Sequence, residues 1–137
     1  MDVLYTAVAT ANGRDGRAVT PDGQLDLNLA PPPALGGDGN GTNPEQLFAA
    51  GYAACFASAL AGVGRREKVD TGEISITAEV GLGKEESGGF ALQVTLRAEL
   101  PDALAGEAGQ ALLEKAHQQC PYSKATRGNI AVTLVVE

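Results

Sequence analysis

Alternating apolar and polar residues predict three strands in the first third of the chain. The alternation runs over residues 3–11, begins again at residues 18–20 and returns over residues 25–29, where leucines alternate with polar side chains. Asn-Gly and Asp-Gly pairs within residues 12–17, and a Pro-Asp-Gly sequence at residues 21–23, are typical of tight turns. The pattern therefore predicts a three-stranded meander.

An apolar run in the middle of the chain predicts a long helix. After a Pro-Pro-Pro sequence and a glycine-rich stretch, we expect this helix to cover residues 44–64. Thr42 or Asn43 can cap its first N–H groups, and Glu45 completes a capping-box spacing with Thr42. Beyond Glu45 no charged residue occurs in the run, so the helix is apolar on nearly every side. Such a helix is expected to be buried on all sides.

The second half of the chain predicts three more strands. Residues 74–80 and 90–100 alternate on either side of a polar turn at residues 84–89, which is the pattern of a hairpin. Residues 130–136 alternate again near the end of the chain. We therefore expect a hairpin and a separate final strand.

A second helix is predicted between the hairpin and the final strand. Apolar residues recur at helical spacing after Pro101-Asp102 and continue to about Cys120-Pro121, where the helix should end. The predicted order is β-β-β-α-β-β-α-β, an α+β fold. A length of 137 residues predicts a single domain over residues 1–137.

Charge and composition narrow the classes of partner. The formal net charge is −7, which argues against nucleic acid, because that ligand requires a basic surface. The chain opens with a strand-like pattern and not with a charged-then-apolar signal segment, so we expect a cytoplasmic protein. Gly51, Tyr52 and Ser58 make the long helix a poor membrane span. With few aromatic residues, helices can approach closely, and an apolar homodimer interface is expected.

Two cysteines are the first candidates for chemistry. Cys55 lies within the long helix and Cys120 near the end of the second one. Structural disulfides are rare in cytoplasmic proteins, so a catalytic or redox-active pair and two unrelated, inert buried cysteines both stay open. Together with His117 these cysteines do not have the spacing of a zinc site, and no metal is expected.

Two charged residues could make a cysteine reactive. Arg14 lies in a predicted turn and Glu45 at the start of the long helix. The thiolate is the reactive form of cysteine, and a neighbouring arginine lowers the thiol pKa. A carboxylate can hold such an arginine in a fixed fork. Taken alone, Arg14 is equally explained as a solvated turn residue and Glu45 as a helix cap.

Three sequence blocks carry a resemblance to a known family. They are Arg14-Asp15-Gly16, the run from Thr42 to Phe56 around Cys55, and the run from Cys120 to Ile130. With these blocks the chain resembles the organic hydroperoxide resistance (Ohr) proteins of the OsmC/Ohr family, over essentially its whole length. The resemblance implies an OsmC/Ohr-like fold with a buried central helix. It also implies an intertwined homodimer with sites at the subunit interface.

The resemblance further implies a reaction and its residues. Cys55 would be the peroxidatic cysteine and Cys120 the resolving cysteine, with Arg14 and Glu45 as the polar pair that activates the thiolate. Alkyl or fatty-acid hydroperoxides would be reduced to alcohols through a sulfenic acid on Cys55 and a Cys55–Cys120 disulfide. No cofactor is expected to be bound. The implied external reductant is a lipoyl dithiol on a carrier protein.

The spacing of two of these residues raises a question of assembly. Glu45 and Cys55 are ten positions apart, which on an unbroken helix is about 15 Å of rise. Either the helix breaks near Gly51, or Arg14 and Glu45 serve Cys55 of a partner subunit. We favour the partner subunit, because the resemblance implies a dimer with interface sites.

Two alternative functions stay open at this point. One is an OsmC-branch peroxidase with broader peroxide use. The other is a non-catalytic thiol sensor or small-molecule binding protein on the same fold, which would need neither the charged pair nor a second cysteine. His117 is expected to have no direct role. Four residues after Cys120 are second-rank candidates, better explained as a turn that packs the helix end: Tyr122, Ser123, Lys124 and Arg127.

Overall fold

The fold combines six strands with three α-helices, which confirms the α+β class expected from the alternation. It was obtained as a computed structural model that describes every residue, Met1–Glu137. Contacts within the chain divide it into two units, Met1–Leu47 and Phe48–Glu137. Each unit contains its own three-stranded sheet, and the long central helix begins in the first unit.

The N-terminal unit contains the predicted meander. Strands β1 (Thr10–Ala11), β2 (Arg17–Val19) and β3 (Asp26–Asn28) pair antiparallel in chain order. The turn between β2 and β3 is held by Thr20, whose N–H donates to the carbonyl of Leu25 and whose hydroxyl oxygen accepts from the N–H of Leu25. The order and the turns of the meander are therefore confirmed.

The first strand is much shorter than its pattern suggests. A strand was expected over residues 3–11, but residues 1–9 have no secondary structure and β1 contains only Thr10 and Ala11. Val3, Leu4 and Tyr5 are exposed in this part of the chain. An alternating segment becomes a strand only where a neighbouring backbone pairs with it, and within this segment β2 pairs with Thr10 and Ala11 alone. The prediction for residues 3–9 is therefore wrong for the single chain.

The long helix α1 (Pro44–Glu67) begins with a capping box, but one residue later than expected. The N–H of Gln46 donates to the Asn43 side chain at 2.9 Å, and the N–H of Asn43 donates back to the Gln46 side chain at 3.2 Å. The predicted pairing of Thr42 with Glu45 is wrong. The backbone of Thr42 instead pairs with Asn28, its N–H donating to that carbonyl at 2.9 Å.

Helix α1 runs without a break through Gly51 and buries one face. Tyr52, Phe56 and Leu60, spaced four residues apart, are fully buried in the core of the C-terminal unit. Residues on the other side of the helix are exposed: Gln46, Ala50, Ala54 and Ser58. The expectation of burial on all sides is thus met on one face only in the single chain. The side of α1 with small residues stays exposed because no other part of the same chain packs against it.

The second sheet supplies the rest of the core. Strands β4 (Ser75–Lys84) and β5 (Phe90–Glu99) form the predicted antiparallel hairpin, and β6 (Val132–Val136) adds to β5 in parallel. A parallel neighbour requires a crossover connection, which here contains the helices that follow β5. Alternate residues of β5 are buried against the core: Val94, Leu96 and Ala98.

The crossover contains two α-helices, where one was predicted. Residues Asp102–Leu104 form only a 3₁₀ turn, and α2 (Glu107–Gln119) starts after Gly106, whose φ of 74° interrupts the helical path. The expected helix start at Pro101-Asp102 is therefore wrong. A third helix, α3 (Pro121–Thr126), was missed because Pro121 was interpreted only as a stop. Proline also fits the first turn of a new helix, as it does here.

Helix α1 is the one helix long and apolar enough to cross a membrane by length and composition. This is weak evidence, because the core helix of a soluble protein meets the same criterion. In this fold the large side chains of α1 lie in the same cluster as Leu96 and Leu113. Each such fully buried side chain contributes about 1.5–3 kcal/mol of transfer free energy.

Candidate functional site

The two cysteines lie against each other in the C-terminal unit. Their sulfur atoms are 3.3 Å apart, and both thiols are free. Cys55 is partly exposed on α1, whereas Cys120 is fully buried. A disulfide has a sulfur–sulfur distance of about 2.0 Å, so a small movement of either side chain would join them. The arrangement can form a disulfide between residues 65 positions apart in sequence.

Cys120 is held in place by the backbone of the two helices that it separates. Its N–H donates to the carbonyl of Ala116 at 2.8 Å, closing the last turn of α2. Its carbonyl accepts from the N–H of Lys124 at 3.0 Å, opening the first turn of α3. Pro121 makes this junction possible, because it cannot continue α2 but can start α3.

The surroundings of Cys55 in the single chain favour the thiol over the thiolate. Burial raises the Cys55 pKa, and the neighbouring Cys120 sulfur raises it further. The backbone N–H of Tyr122 near the sulfur lowers the Cys55 pKa, but it does not outweigh burial. A reactive thiolate at neutral pH therefore needs an additional positive charge near the sulfur.

The N-terminal unit contains the predicted arginine–carboxylate fork. The two Nη atoms of Arg14 donate to the two carboxylate oxygens of Glu45 at 3.0 and 2.8 Å. The hydrogen bonds and charge of Arg14 lower the pKa of Glu45, and Glu45 raises the pKa of Arg14, so both are ionised at neutral pH. The Glu45 side chain is only 14% exposed, whereas that of Arg14 is 49% exposed. A guanidinium has five N–H donors, so Arg14 keeps donors free for an anion.

Three aromatic side chains from the segments that contain the two cysteines pack against one another. The rings of Phe48, Tyr52 and Tyr122 pack together with centroids 5.7 to 6.0 Å apart. Tyr122 is 40% exposed, and its ring lies on Gly51 of α1. A side chain at Gly51 would put a Cβ 2.9 Å from the Tyr122 hydroxyl, so the glycine permits this close contact. Within this cluster Tyr52 is fully buried and Tyr122 is the exposed ring.

The structure brings together polar residues that were expected to have no direct role or only a second-rank one. His117, expected to be idle, contacts the buried Ser123 hydroxyl at 2.8 Å. That hydroxyl also contacts the Tyr52 hydroxyl at 2.8 Å. Arg127 donates to the carbonyl of His117, and Lys124 lies in α3. One signal was present in the sequence, since Tyr52 precedes Cys55 by three residues and Ser123 follows Cys120 by three.

The structure contains no cluster of metal-ligating side chains. No group of three or more His, Cys, Asp or Glu side chains is arranged to hold a metal ion. His117 is directed at Ser123, and its pKa is lowered by burial and by the charge of Arg127. The polar groups near the thiols are therefore hydroxyls and backbone amides.

Comparison with known proteins places these residues in a family context. Residues 37–135 match the family described as OsmC-like protein. The organic hydroperoxide resistance protein of Xanthomonas axonopodis pv. citri (strain 306) is 56% identical over 137 residues, covering 98% of this chain and 95% of that protein. Organic hydroperoxide resistance protein OhrB of Bacillus subtilis (strain 168) is 48% identical over 133 residues, covering 96% of each.

Solved structures agree with the sequence comparison. The crystal structure of an organic hydroperoxide resistance protein OsmC from Legionella pneumophila superposes with a TM-score of 0.92 at 49% identity, covering 99% of both chains. The crystal structure of OhrB of Bacillus subtilis gives a TM-score of 0.89 at 47% identity, covering 98% of this chain and 100% of that one. Similarity of fold and sequence thus extends over nearly the whole chain.

Proposed function

We propose that this chain, which belongs to the OsmC-like family, is a thiol-dependent peroxidase that reduces organic hydroperoxides to alcohols. Its relatives from Xanthomonas and Bacillus subtilis are named organic hydroperoxide resistance proteins, which supports a role in the response to oxidative stress. The observation that carries the proposal is the 3.3 Å separation of the Cys55 and Cys120 sulfur atoms. A peroxidase that forms a disulfide within its own chain needs two thiols at such a distance.

The proposed cycle has three steps. The Cys55 thiolate attacks the distal oxygen of the hydroperoxide, the O–O bond breaks, and the alkoxide leaves and takes up a proton as the alcohol. Cys55 is now a sulfenic acid. The Cys120 sulfur attacks the Cys55 sulfur, a disulfide forms and water leaves. A dithiol then reduces the disulfide by exchange and is itself oxidised to a disulfide.

Arg14 and Glu45 are proposed to activate Cys55 of a partner subunit. Burial raises the Cys55 pKa within the chain, so a cation is needed for the thiolate, and Arg14 is fixed in a fork by Glu45. Helix α1 is unbroken, so ten residues between Glu45 and Cys55 correspond to about 15 Å of rise. The break near Gly51 that would have shortened this distance does not occur. An arginine from a second chain would satisfy both observations.

A homodimer is the assembly that this arrangement requires. Two separate surfaces support it. Small side chains are exposed along α1 at Ala50, Ala54 and Ser58, where another helix could approach closely. The apolar residues Val3, Leu4 and Tyr5 are exposed in a segment whose alternating pattern is that of a strand. A second chain would bury both surfaces.

The proposed reductant is a lipoyl dithiol on a carrier protein, acting in the cytoplasm. This part of the proposal is based on the resemblance to Ohr proteins, and it involves no bound cofactor, nucleic acid or membrane. A lipoyl group is a chemically suitable reductant, because its two thiols can reduce the enzyme disulfide in two successive exchange steps. The half-exposed position of Cys55 gives such a dithiol access to the disulfide.

The test is the consumption of peroxide with reduced lipoamide. We expect rapid turnover of cumene hydroperoxide, slow turnover of hydrogen peroxide and no turnover by Cys55→Ser. Similar rates for both peroxides would favour the OsmC-branch alternative. No consumption of either peroxide by the wild type, despite a reversible oxidation of Cys55, would contradict the peroxidase and favour a thiol sensor.

A further inference from the structure

Three buried hydroxyl side chains and the partly exposed His117 form a network beside the cysteine pair. The Ser123 hydroxyl lies 2.8 Å from His117 Nδ1 and 2.8 Å from the Tyr52 hydroxyl. The Tyr52 hydroxyl lies 3.2 Å from the Thr126 hydroxyl, which donates to the Ser123 carbonyl at 3.1 Å. Tyr52, Ser123 and Thr126 are all at most 2% exposed. The network joins α1, α2 and α3, the three helices that position the two thiols.

The number of protons in the network fixes the direction of every bond. Each hydroxyl has one proton to donate. The Thr126 hydroxyl donates its proton to the Ser123 carbonyl, so the donor in the bond between Tyr52 and Thr126 is the Tyr52 hydroxyl. In the bond between Tyr52 and Ser123, the Ser123 hydroxyl is then the donor and the Tyr52 hydroxyl the acceptor.

This sequence of donors determines the state of His117. Because the Ser123 proton is already used, the remaining bond must be donated by Nδ1 of His117. The histidine is therefore held with a proton on Nδ1. Burial and the charge of Arg127 lower its pKa, while Glu114 opposes them, so at neutral pH the second ring nitrogen has no proton.

The network lies one helical turn from the thiols. Tyr52 and Cys55 are three residues apart on α1, and Cys120 and Ser123 are three residues apart across the start of α3. A hydrogen bond between Tyr52 and Ser123 therefore ties the same two backbone segments that carry the sulfur atoms. Residues three apart on a helix lie on the same face, so the bond and the sulfur pair are neighbours.

We propose that the hydrogen-bond chain from His117 through Ser123 to Tyr52 positions Cys120 for attack on the oxidised Cys55. This inference rests on the proposed function. The three residues touch neither the peroxide nor the sulfur atoms and act as positioning residues. With the chain intact, the start of α3 is held against α1, and the sulfenic acid is converted to the disulfide with loss of water. Without it, Cys120 spends less time within reach, and Cys55 stays exposed to further peroxide.

The test measures the disulfide equilibrium without peroxide. Purified protein is equilibrated with reduced and oxidised glutathione, and the Cys55–Cys120 disulfide is quantified by mass spectrometry after alkylation of free thiols. We expect Ser123→Ala and Tyr52→Phe each to lower the effective concentration of the two thiols about 5- to 10-fold, because each loses a buried hydrogen bond. Thermal unfolding of each variant verifies that it is folded at the temperature of the measurement.

A pair of substitutions at His117 separates positioning from packing. The amide N–H of His117→Asn can take the place of Nδ1–H, so this variant should retain most of the wild-type effective concentration. His117→Leu cannot donate and should lose about as much as Ser123→Ala. Equal effective concentrations in all four variants and the wild type would overturn the inference. Equal losses in the two His117 variants would also overturn it, because packing alone would then explain them.

The same variants distinguish this inference from the proposed function. In the presence of cumene hydroperoxide, Ser123→Ala should form the first oxidation product of Cys55 at the wild-type rate and then accumulate sulfinic acid. If the wild type consumes no peroxide but the glutathione equilibrium shifts as expected, the proposed function fails and the positioning role stands. If the wild type turns over and the equilibrium does not shift, the positioning role alone fails.

Discussion

At the scale of single residues, the reactivity of Cys55 depends on its neighbours. Burial raises the pKa of its thiol, so the proposed reaction would require that the thiolate be stabilised from elsewhere. The Tyr122 N–H supplies part of it, and a forked arginine would supply a full charge. Cys120, in contrast, is fully buried and 3.3 Å away, which suits a thiol that attacks only its neighbour.

Loss of the second thiol should separate the two oxidation steps. Cys120→Ser should react once with cumene hydroperoxide at close to the wild-type rate, because Cys55 is unchanged. With no thiol at 3.3 Å to trap it, the sulfenic acid should then proceed to sulfinic acid. Intact-mass spectrometry during a peroxide titration measures both products, with Cys55→Ser as the unreactive control. Normal cycling of Cys120→Ser with lipoamide would contradict the resolving role.

The ion pair of Arg14 and Glu45 should contribute to stability in a pH-dependent way. The pKa of Glu45 is lowered in the folded chain, so its contribution is present above the unfolded-state pKa and is lost as pH falls through the folded one. We expect Glu45→Gln to reduce the free energy of unfolding by about 1 kcal/mol at pH 7. The difference should shrink below about pH 4. Urea unfolding at several pH values measures it.

A surface ion pair gives the matched control for that experiment. Arg97 and Glu79 form a bond of 2.7 Å, but their side chains are 39% and 55% exposed. Glu79→Gln should therefore change the free energy of unfolding by less than about 0.5 kcal/mol. A loss as large as that of Glu45→Gln would show that the fork of Arg14 and Glu45 has no special contribution.

At the scale of elements, the sequence correctly predicted the strands, turns and helix that are determined by periodicity and turn residues. The meander, the hairpin and the long helix follow from alternation, from turn sequences and from a charge-free run. The failures occur where a partner or a local conformation decides. Residues 3–9 have the pattern of a strand but no neighbour in the chain, and Gly106 with a φ of 74° delays α2 in a way that periodicity does not encode.

The residues of the candidate site also fall into two groups, those found from the sequence and those found only in the structure. Cys55 and Cys120 were identified by residue type and resemblance, and the bond between Arg14 and Glu45 was expected as a fork. Ser123 was only a second-rank candidate, better explained as part of a turn, because a serine there has no periodic signal. Only packing reveals that it is fully buried between Tyr52 and His117. Contacts across 71 residues of sequence cannot be obtained from local pattern.

The capping box at the start of α1 can be tested by two adjacent substitutions. Asn43→Ala should reduce the free energy of unfolding by about 1 kcal/mol, because it removes the bond to the Gln46 N–H. Thr42→Ala should cost less than half as much, since the Thr42 side chain caps no N–H of the helix and its backbone bonds instead to Asn28 and Ala30. Chemical denaturation of both variants measures the two losses in free energy of unfolding. A larger loss for Thr42→Ala would restore the capping box that the sequence suggested.

Gly51 on α1 should matter for the site more than for the helix. A Cβ there would lie 2.9 Å from the Tyr122 hydroxyl and displace that exposed ring. Alanine stabilises a helix by about 0.5–1 kcal/mol relative to glycine, so Gly51→Ala should be close to neutral after the clash. Its kcat/KM for cumene hydroperoxide should fall about tenfold, because displacement of Tyr122 also shifts the backbone N–H that lowers the Cys55 pKa.

The same substitution at Gly62 is the control within the helix. A Cβ at Gly62 would meet only arginine side-chain atoms at 3.7 Å, which is ordinary contact. Gly62→Ala should therefore gain the full stabilisation of about 0.5–1 kcal/mol and leave kcat/KM unchanged. Equal kcat/KM values for both glycine variants would contradict a role of the contact between Gly51 and Tyr122 in the reaction.

At the scale of the whole molecule, one chain leaves two requirements unmet. The small-residue face of α1 and the apolar segment around Tyr5 are exposed, and the Cys55 pKa is raised in place of the lowered value that a nucleophile needs. A homodimer that exchanges Arg14 between subunits would meet both. Such a dimer would be symmetric, with two equivalent sites, each built from two chains.

Mixed dimers decide whether Arg14 acts within its own chain or on the partner. Arg14→Ala and Cys55→Ser chains with different affinity tags are co-expressed, and dimers carrying both tags are purified. If Arg14 acts on the partner, each mixed dimer has one complete site, and about half of the wild-type activity per dimer should return. Each variant alone should be inactive or nearly so. If Arg14 acts within its own chain, the mixed dimer has no complete site and should be no more active than Arg14→Ala alone.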